Sequence, residues 1–261
     1  MTTALVILLA VIAVALIFEY INGFHDTANS IATVVATKVL TPRQAVVLAA
    51  GMNLLGALAG TAVAKTISSG LIDTNVVAVG SGVLICALTG GIIWNLITWW
   101  LGLPSSSSHA LVGGLCGAAV AAAHGDFGAL IWSQTAGDWT QNKGILWKVV
   151  MPMISSPVAG FTLGILIMGT FMAVISTMNG AGGWMARVSR PRWVNAIFGK
   201  AQIASAAYMG FAHGTNDAQK TMGIIALAIF GAEASGTLND LPTWLSFLHP
   251  DGDKDAIDKW I

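Results

Sequence analysis

Long blocks of apolar residues alternate with short polar stretches along this chain, and these blocks are the first guide to its fold. They cover residues 4–37, 44–64, 76–101, 146–177 and 201–231. A helix needs about 20 apolar residues to cross a bilayer, so each block has the length that a spanning helix requires. The pattern predicts an all-α, polytopic transmembrane protein whose polar chemistry is confined to the interruptions.

The composition also indicates a membrane protein. Of the 261 residues, 55% are hydrophobic and 9% are charged, with a mean hydropathy of +0.75, whereas soluble domains carry about 25% charged residues. The formal net charge is zero, which gives no indication of nucleic-acid binding. The N-terminus lacks the basic region and cleavage site of a signal peptide, so we expect the first block to remain as a helix in the lipid bilayer.

The first block is interrupted by the polar stretch GFHDTANS, which begins at residue 23. It places Asp26 between two apolar runs, with His25 and Asn29 beside it. A charged side chain at bilayer depth costs about 2.5–3.5 kcal/mol on insertion scales, and such a residue is by default a candidate for function. We therefore predict a helix that is broken around residues 22–29, with Asp26 in a functional site.

A similar interruption recurs near the end of the chain. Residues 210–223 read GFAHGTNDAQKTMG, and Asp217 lies 191 positions after Asp26. Each aspartate is accompanied by amide side chains, which are Asn29, Asn216 and Gln219. Internal repeats with broken helices that meet near the bilayer midplane are typical of secondary transporters. The pattern predicts an inverted-repeat fold in which the two aspartates share one cavity.

Two further charged residues lie close to the aspartates in sequence. Under the offset of 191 residues, Lys220 occupies the position that Asn29 holds in the first stretch. We predict that Lys220 is a fixed cation beside Asp217. Glu19 precedes the first stretch, and it either hydrogen-bonds within the helix bundle or joins the same site.

A serine-rich stretch, PSSSSHALVGG, begins at residue 104. Proline suits the first turn of a helix, and serine is a favoured N-cap. We predict a re-entrant hairpin over residues 104–123, whose hydroxyl and backbone N–H groups face a cavity and bind an anion. His109 would orient the serines, and it could titrate near neutral pH. Residues 155–157, SSP, are expected to form only a helix kink.

The chain is expected to divide into three parts. Residues 1–186 form the first transmembrane repeat, and residues 187–200 form a basic connector that the positive-inside rule places in the cytoplasm. Residues 201–261 form the start of the second repeat and a polar tail. The counterpart of Ser105 in the second repeat would fall beyond residue 261, so a chain truncated at its C-terminus is expected.

The two kinds of polar cluster make sense together only if a cation lies between them. Serine hydroxyls and helix N-termini attract an anion, while the aspartates repel it until a sodium ion or a proton neutralises them. Binding of the anion then depends on the cation, which is the basis of symport. The predicted substrate ligands are Ser105, Ser106, Ser107, Ser108, Asn29, Asn216, Gln219 and Lys220. The predicted coupling-ion residues are Asp26, Asp217, His25 and His109.

Three segments carry a resemblance to a known family. GFHDTANS, PSSSSHALVGG and AHGTNDAQK resemble the signature segments of the inorganic phosphate transporter family, particularly its bacterial low-affinity members. The resemblance spans nearly the whole chain. It implies a multi-pass protein of the bacterial inner membrane that imports phosphate with protons or sodium and is not an enzyme. It also implies that Asp26, Asn29, Asn216, Asp217 and the four serines form the site.

The coupling ion and the form of the substrate are also expectations. Many relatives have asparagine where this chain has Lys220, and a fixed ammonium disfavours sodium at that half of the site. We therefore expect protons rather than sodium as the coupling ion, with phosphate travelling alone or as a neutral metal–phosphate complex. No cofactor and no resident metal is expected, and assembly into a homo-oligomer is left open.

Three other functions fit parts of the pattern. An intramembrane hydrolase would need a serine facing a histidine base, but Ser108 and His109 are neighbours and do not face one another in a helix. A passive anion channel would ordinarily gain its symmetry from several copies rather than from an internal repeat. Sulfate or another oxyanion is the nearest alternative substrate, although only hydrogen phosphate carries an O–H that a carboxylate can accept.

Overall fold

The structure, a computed structural model, describes residues 2–60, 71–73, 76–77, 79–103, 105–135, 142–180, 190–239 and 241–248. Its α-helices in this part of the chain are α1 (Thr3–Ala36), α2 (Pro42–Ala57), α3 (Ser81–Trp100), α4 (Ser107–Ala122), α5 (Met151–Gly180) and α6 (Pro191–Ala234). A π-helical turn, Leu146–Val150, leads into α5, and 3-10 helices form at Phe127–Ala129 and Thr243–Leu248.

Three of the described helical segments are long and apolar enough to cross a membrane. They are Thr3–Ala36, Ser81–Trp100 and Leu146–Met178. The prediction of an all-helical membrane protein is confirmed. The α4 helix has the same apolar character but only 16 residues, which is short for a complete crossing.

Polar residues at the start of several helices account for where those helices begin. The hydroxyl of Thr41 accepts from the backbone N–H of Gln44, whose side chain accepts from the N–H of Thr41 in return, and this reciprocal cap starts α2. Ser106 caps α4 by accepting from the N–H of His109 at 3.4 Å. Each bond satisfies an N–H group that has no partner within its own helix.

Helices α1 and α6 lie antiparallel at the centre of the bundle. At one end, the hydroxyl of Thr37 donates to Gln202 Oε1 at 2.7 Å. At the other end, Thr221 donates to Glu19 Oε2 at 2.6 Å. The residue numbers rise along one helix as they fall along the other, so the two polar stretches point in opposite directions and meet near the middle.

Glycines allow unusually close contact between helices. A Cβ at Gly214 of α6 would lie 2.1 Å from the carbonyl oxygen of Asn53 in α2, and one at Gly56 would lie 2.2 Å from the carbonyl oxygen of Phe211. Only glycine fits at such backbone-to-backbone contacts, as in other membrane helix pairs. This packing fixes α2 against the half of α6 that carries Asp217.

The main hydrophobic core lies among α1, α3, α4 and α6. Its largest fully buried side chains include Phe18, Leu88, Leu111 and Ile224. Leu238, Leu245 and Leu248, which follow α6, are buried in the same core. Three leucines of the predicted polar tail therefore face the core, and residues 249–261 lie outside the described residues.

The predicted breaks in the two helices that carry Asp26 and Asp217 are wrong. Helix α1 runs without interruption through GFHDTANS, and α6 runs without interruption through GFAHGTNDAQKTMG. Neither stretch contains proline, and the polar residues cost a helix at most about 0.7 kcal/mol each, or about 1 for glycine. An open backbone group in lipid costs several kcal/mol. Continuing the helix is therefore less costly than breaking it.

The hairpin and the connector have other bounds than those predicted. Residues 104–123 do not form a hairpin alone: α4 is one arm, and it packs against α3, with the turn between Trp100 and Ser107 at the tip. Pro104 lies outside the described residues. The basic connector at 187–200 is helical from Pro191 onward, and residues 181–189 are not described.

Candidate functional site

Asp26 of α1 and Asp217 of α6 come together where these helices cross. Both are buried, with 9% and 8% of their surface exposed. One ligand atom from each, together with a ring nitrogen of His213, lies within 4.8 Å of the other two. The predicted convergence of the two aspartates is therefore seen in the structure, although they come from two unbroken helices.

Asp26 is held by a serine hydroxyl and a histidine ring. Ser107 Oγ lies 2.5 Å from Asp26 Oδ2 and 2.5 Å from Asn22 Oδ1. His25 Nδ1 lies 3.0 Å from Asp26 Oδ1. Asn22 is one helical turn before Asp26, so both side chains point to the same face of α1. The tip of the α3–α4 hairpin thus reaches this carboxyl through a single buried hydroxyl.

Asp217 has an ammonium group and a histidine ring as its partners. The Lys220 ammonium contacts Asp217 Oδ1 and also the hydroxyl of Ser108. His213 Nε2 lies 3.0 Å from Asp217 Oδ2, and its Nδ1 lies 2.7 Å from Asn53 Oδ1 of α2. Asp217 is therefore tied to α2 through His213 and to the hairpin tip through Lys220.

The two carboxyl groups consequently differ in charge balance. The positive charge of Lys220 compensates Asp217 directly, whereas Asp26 has a hydroxyl and an imidazole as its partners. Oxygen ligands from both aspartates and a nitrogen from His213 could hold a small cation. The ammonium already in contact with Asp217 competes for that carboxylate, which disfavours a second cation on its side of the cluster.

The four consecutive serines point in different directions. Ser107 reaches Asp26, Ser108 contacts Lys220, and Ser106 caps α4. Ser105 accepts from the indole N–H of Trp94 at 3.0 Å. The prediction of one serine cluster facing one anion is thus only partly in agreement with the geometry, since two of the four reach the aspartate sites.

A chamber of about 760 Å³ opens beside this cluster. Its polar lining includes Ser106, Ser108, His109, Lys148, Ser156, Asn216, Asp217 and Lys220. Its remaining lining is mostly apolar and comes largely from the first part of α5. The chamber has room for an oxyanion with part of its hydration shell, and Lys220 with Ser108 offers it a charged and a neutral donor.

Six predicted site residues are not part of the chamber lining, namely His25, Asp26, Asn29, Ser105, Ser107 and Gln219. Gln219 is buried in α6. Asn29 and His25 line a smaller cavity of about 300 Å³ on the other side of Asp26, together with Ser105. This placement separates Asn29 from Lys220, its counterpart under the 191-residue offset.

Several polar residues of the site escaped the sequence analysis. Asn53 is a lone amide in an apolar segment, and only the packing of α2 on α6 reveals its partner. Asn95 of α3 is fully buried, and its amide atoms have no hydrogen-bond partner among the described residues. Gly91, one turn earlier, faces Phe18 and Leu111, so Asn95 lies on the face of α3 toward α1 and α4. Asn22 lies one helical turn before Asp26, and this spacing was the signal in the sequence that could have placed Asn22 on the same helix face.

Residues 22–249 match the phosphate transporter family. The chain is 42% identical over 247 residues to a probable low-affinity inorganic phosphate transporter of Bacillus subtilis (strain 168), covering 95% of this chain and 67% of that protein. It is 43% identical over 242 residues to a protein of the same description from Mycobacterium tuberculosis (strain H37Rv), covering 93% of this chain and 52% of that protein. The chain therefore spans between half and two thirds of these relatives.

One solved structure has a similar fold. It is described as the sodium-dependent phosphate transporter, with a TM-score of 0.70 and 21% sequence identity. The similarity covers 93% of this chain and 72% of that one. At this level of identity the likeness concerns the fold alone.

Proposed function

The chain belongs to the phosphate transporter family, and we propose that it imports inorganic phosphate across a membrane in symport with protons. Membership makes it a multi-pass membrane protein of a transporter family rather than an enzyme. The observation that carries the proposal is the meeting of Asp26 and Asp217 beside a chamber lined by Ser108 and Lys220. Acids and anion donors at one place make anion binding depend on a cation.

Counting hydrogen-bond donors supports a proton on Asp26. Ser107 has one hydroxyl proton but lies 2.5 Å from two acceptor oxygens, Asn22 Oδ1 and Asp26 Oδ2. With Asp26 ionised and the Asn22 amide oxygen facing Ser107, these three oxygens are one donor short; turning the Asn22 amide would supply an N–H to Ser107 in that state. With Asp26 protonated, its O–H donates to Ser107 and Ser107 donates to Asn22, so each contact has a proton. The same protonation removes the negative charge that would repel the phosphate.

Phosphate would bind at the boundary of the chamber and the cluster. An oxyanion that leaves water needs replacement donors, and Lys220, Ser108, Asn216 and the capped end of α4 surround one region of the lining. Hydrogen phosphate can also donate its O–H to a carboxylate, whereas sulfate has no such donor. This difference supports phosphate over sulfate. A metal–phosphate complex is the alternative substrate, with its metal near Asp26, His213 and Asp217.

An inverted repeat is the architecture we propose. It is supported by the offset of 191 residues and by the antiparallel arrangement of the two helices that carry the related stretches. Residues 1–186 would then belong to the first repeat, and α6 would begin the second. The tip of the α3–α4 hairpin would enter the bilayer and return, because Ser107 contacts the buried carboxyl group of Asp26 and Ser108 contacts Lys220, the partner of Asp217.

Uptake of labelled phosphate by the gene product that contains this chain tests the proposal. The protein is reconstituted in vesicles, and sodium and pH gradients are imposed separately. We expect accumulation above equilibrium when the outside is acidic, with no requirement for sodium. Strict dependence on sodium without a response to pH would reject proton coupling, and simple equilibration under every gradient would favour a channel. Competition by sulfate checks the substrate.

A further inference from the structure

Basic side chains from three helices gather at one end of the bundle, where α1, α2 and α6 meet. Thr37, directly after α1, donates to Gln202 of α6, and Ala45 of α2 lies with Ala206 of α6 in a small buried cluster. Each of three basic residues lies within two positions of one of these contacts. They are Lys38, Arg43 and Lys200, and we call them the basic end.

No acidic residue balances the basic end within the described part of the chain. The sequence has no Asp or Glu in residues 27–72 or 139–216, the ranges from which these three helices bring their meeting ends. All three basic side chains are exposed, and none forms an ion pair with a described residue. The opposite end of the bundle carries both signs, with Asp126 after α4 and Lys143 before α5.

The spacing along the helices places the basic end outside the hydrocarbon core. Lys38 follows Asp26 by 12 positions, and Lys200 precedes Asp217 by 17. At 1.5 Å per helical residue, these separations are roughly 18 and 25 Å. The hydrocarbon core reaches about 15 Å to either side of the midplane, which is where the proposed function places the two aspartates. Flexible lysine side chains at this depth reach the layer of lipid headgroups.

The surroundings of the basic residues favour a lipid surface over a single small anion. Val46 and Val47, which follow Arg43, are 48% and 72% exposed, and Ile197, just before Lys200, is 51% exposed. Such side chains suit contact with acyl chains beneath the headgroups. Exposed charges hold one free ion weakly, because water and salt screen them. A layer of anionic headgroups instead attracts every basic residue that lies near it.

We propose that Lys38, Arg43 and Lys200 bind anionic lipid headgroups of the cytoplasmic leaflet. The positive-inside rule places an end with this charge in the cytoplasm, and the cytoplasmic leaflet carries the negative surface potential. Headgroups bound across the three residues hold the ends of α1, α2 and α6 together. Lipid binding does not require that the protein transports phosphate, and only the estimate of depth rests on the proposed function.

Thermal stability in mixed micelles gives the test. The midpoint of the purified protein in a neutral detergent is measured with added phosphatidylglycerol, which is anionic, or phosphatidylcholine, which has no net charge. Phosphatidylglycerol should raise the midpoint by several degrees more, because a ligand that binds the folded state stabilises it. Replacing both Lys38→Gln and Lys200→Gln should raise the phosphatidylglycerol concentration for half of this shift at least fivefold.

Two controls separate charge from other effects of the substitutions. Lys38→Arg with Lys200→Arg keeps both charges and should respond to phosphatidylglycerol as the wild type does. Lys143→Gln removes an exposed lysine at the opposite end and should also leave the response unchanged. High salt should reduce the difference between the two lipids in the wild type, because it screens exposed charges.

Inorganic phosphate distinguishes a lipid surface from a site for free anions. Under the proposed function, phosphate stabilises the protein through the inner site, and the double change of Lys38 and Lys200 to glutamine should leave that shift unaltered. A phosphate-induced shift that the double variant abolishes would show a free-anion site at the basic end and would overturn the lipid assignment.

The remaining outcomes are equally decisive. Equal shifts with the two lipids, or a phosphatidylglycerol response that the double variant retains in full, would refute the inference. If the double variant is not monodisperse, the single changes Lys38→Gln and Lys200→Gln and the salt dependence of the wild type decide, and a response insensitive to all three refutes it. Failure of phosphate uptake in vesicles counts against the proposed function alone, because the micelle assay measures only the binding of lipid.

Discussion

Replacing Gly214 with alanine tests whether the site depends on the close approach of α2 and α6. A Cβ at this position would lie 2.1 Å from the carbonyl oxygen of Asn53 and 2.8 Å from its Cα. Non-bonded heavy atoms settle at about 3.5–4.0 Å, so the helices would have to separate by roughly 1 Å or more. The His213–Asn53 contact of 2.7 Å would then exceed hydrogen-bonding distance.

Helix propensity and packing predict opposite signs for this change. Alanine is more favourable than glycine in a helix by about 1 kcal/mol. The clash is with backbone, which no side-chain rotation relieves, and overpacking of this kind costs about 1–3 kcal/mol or more. We expect packing to dominate and the thermal midpoint to fall by several degrees, since about 1 kcal/mol shifts it by roughly 2–4 °C in a chain of this size.

The assay compares two glycines on the same helix. Thermal midpoints are measured in detergent by loss of the monodisperse peak in size-exclusion chromatography, and phosphate uptake is measured in vesicles. Gly210→Ala is the matched control, because its Cβ would meet its nearest neighbours at 3.3 and 3.5 Å, distances that a small shift accommodates. Gly214→Ala should be less stable than this control and impaired in uptake. Equal stability and normal uptake for both would refute the reasoning.

Two further predictions concern the hairpin tip and its cationic partner. Ser107→Ala removes the hydroxyl between Asn22 and Asp26, and a lost partner in a buried site costs about 1–3 kcal/mol, so the initial rate of uptake should fall about fivefold or more. Ser105→Ala removes a hydroxyl that accepts from the indole N–H of Trp94 and should stay within about twofold of the wild type, and equal effects of the Ser107 and Ser105 changes would contradict the different placement of these serines. Lys220→Gln removes the ammonium and leaves Asp217 with His213 as its partner, and it should lower uptake about tenfold or more, since bonds to charged groups contribute about 1.5–3 kcal/mol. Lys220→Arg should restore part of the rate, and a Lys220→Gln variant with normal uptake would show that the ammonium has no role in the site.

Hydrophobic patterning was enough to predict an all-helical membrane protein, because blocks of about 20 apolar residues have few other uses. It could not predict whether the helices break. Polar residues in a span are compatible with a broken helix and with an intact helix whose polar face is covered by a partner. The packing of α6 on α1 decides between these, and that packing is not visible in either segment alone.

The sequence identified the chemistry of the site better than its geometry. Asp26 and Asp217 stood out because ionisable residues are costly in apolar segments, and the 191-residue offset related them. The four consecutive serines could not be distinguished from one another in the sequence alone. Ser105 and Ser106 precede α4, whereas Ser107 and Ser108 lie in its first turn, where successive residues are rotated by 100° and so reach different partners. Asn53 was missed because its contact with His213 depends on the packing of α2 beside α6.

Phosphate uptake by Asp26→Asn and Asp217→Asn variants tests the account most directly. Both are measured in vesicles with an acidic exterior, after the amount of protein in the membrane has been matched to that of the wild type. Asp126→Asn, an exposed N-cap position, is the control and should transport normally. The account predicts that either change within the cluster abolishes uptake while insertion stays intact. Near-normal uptake by either variant would contradict it.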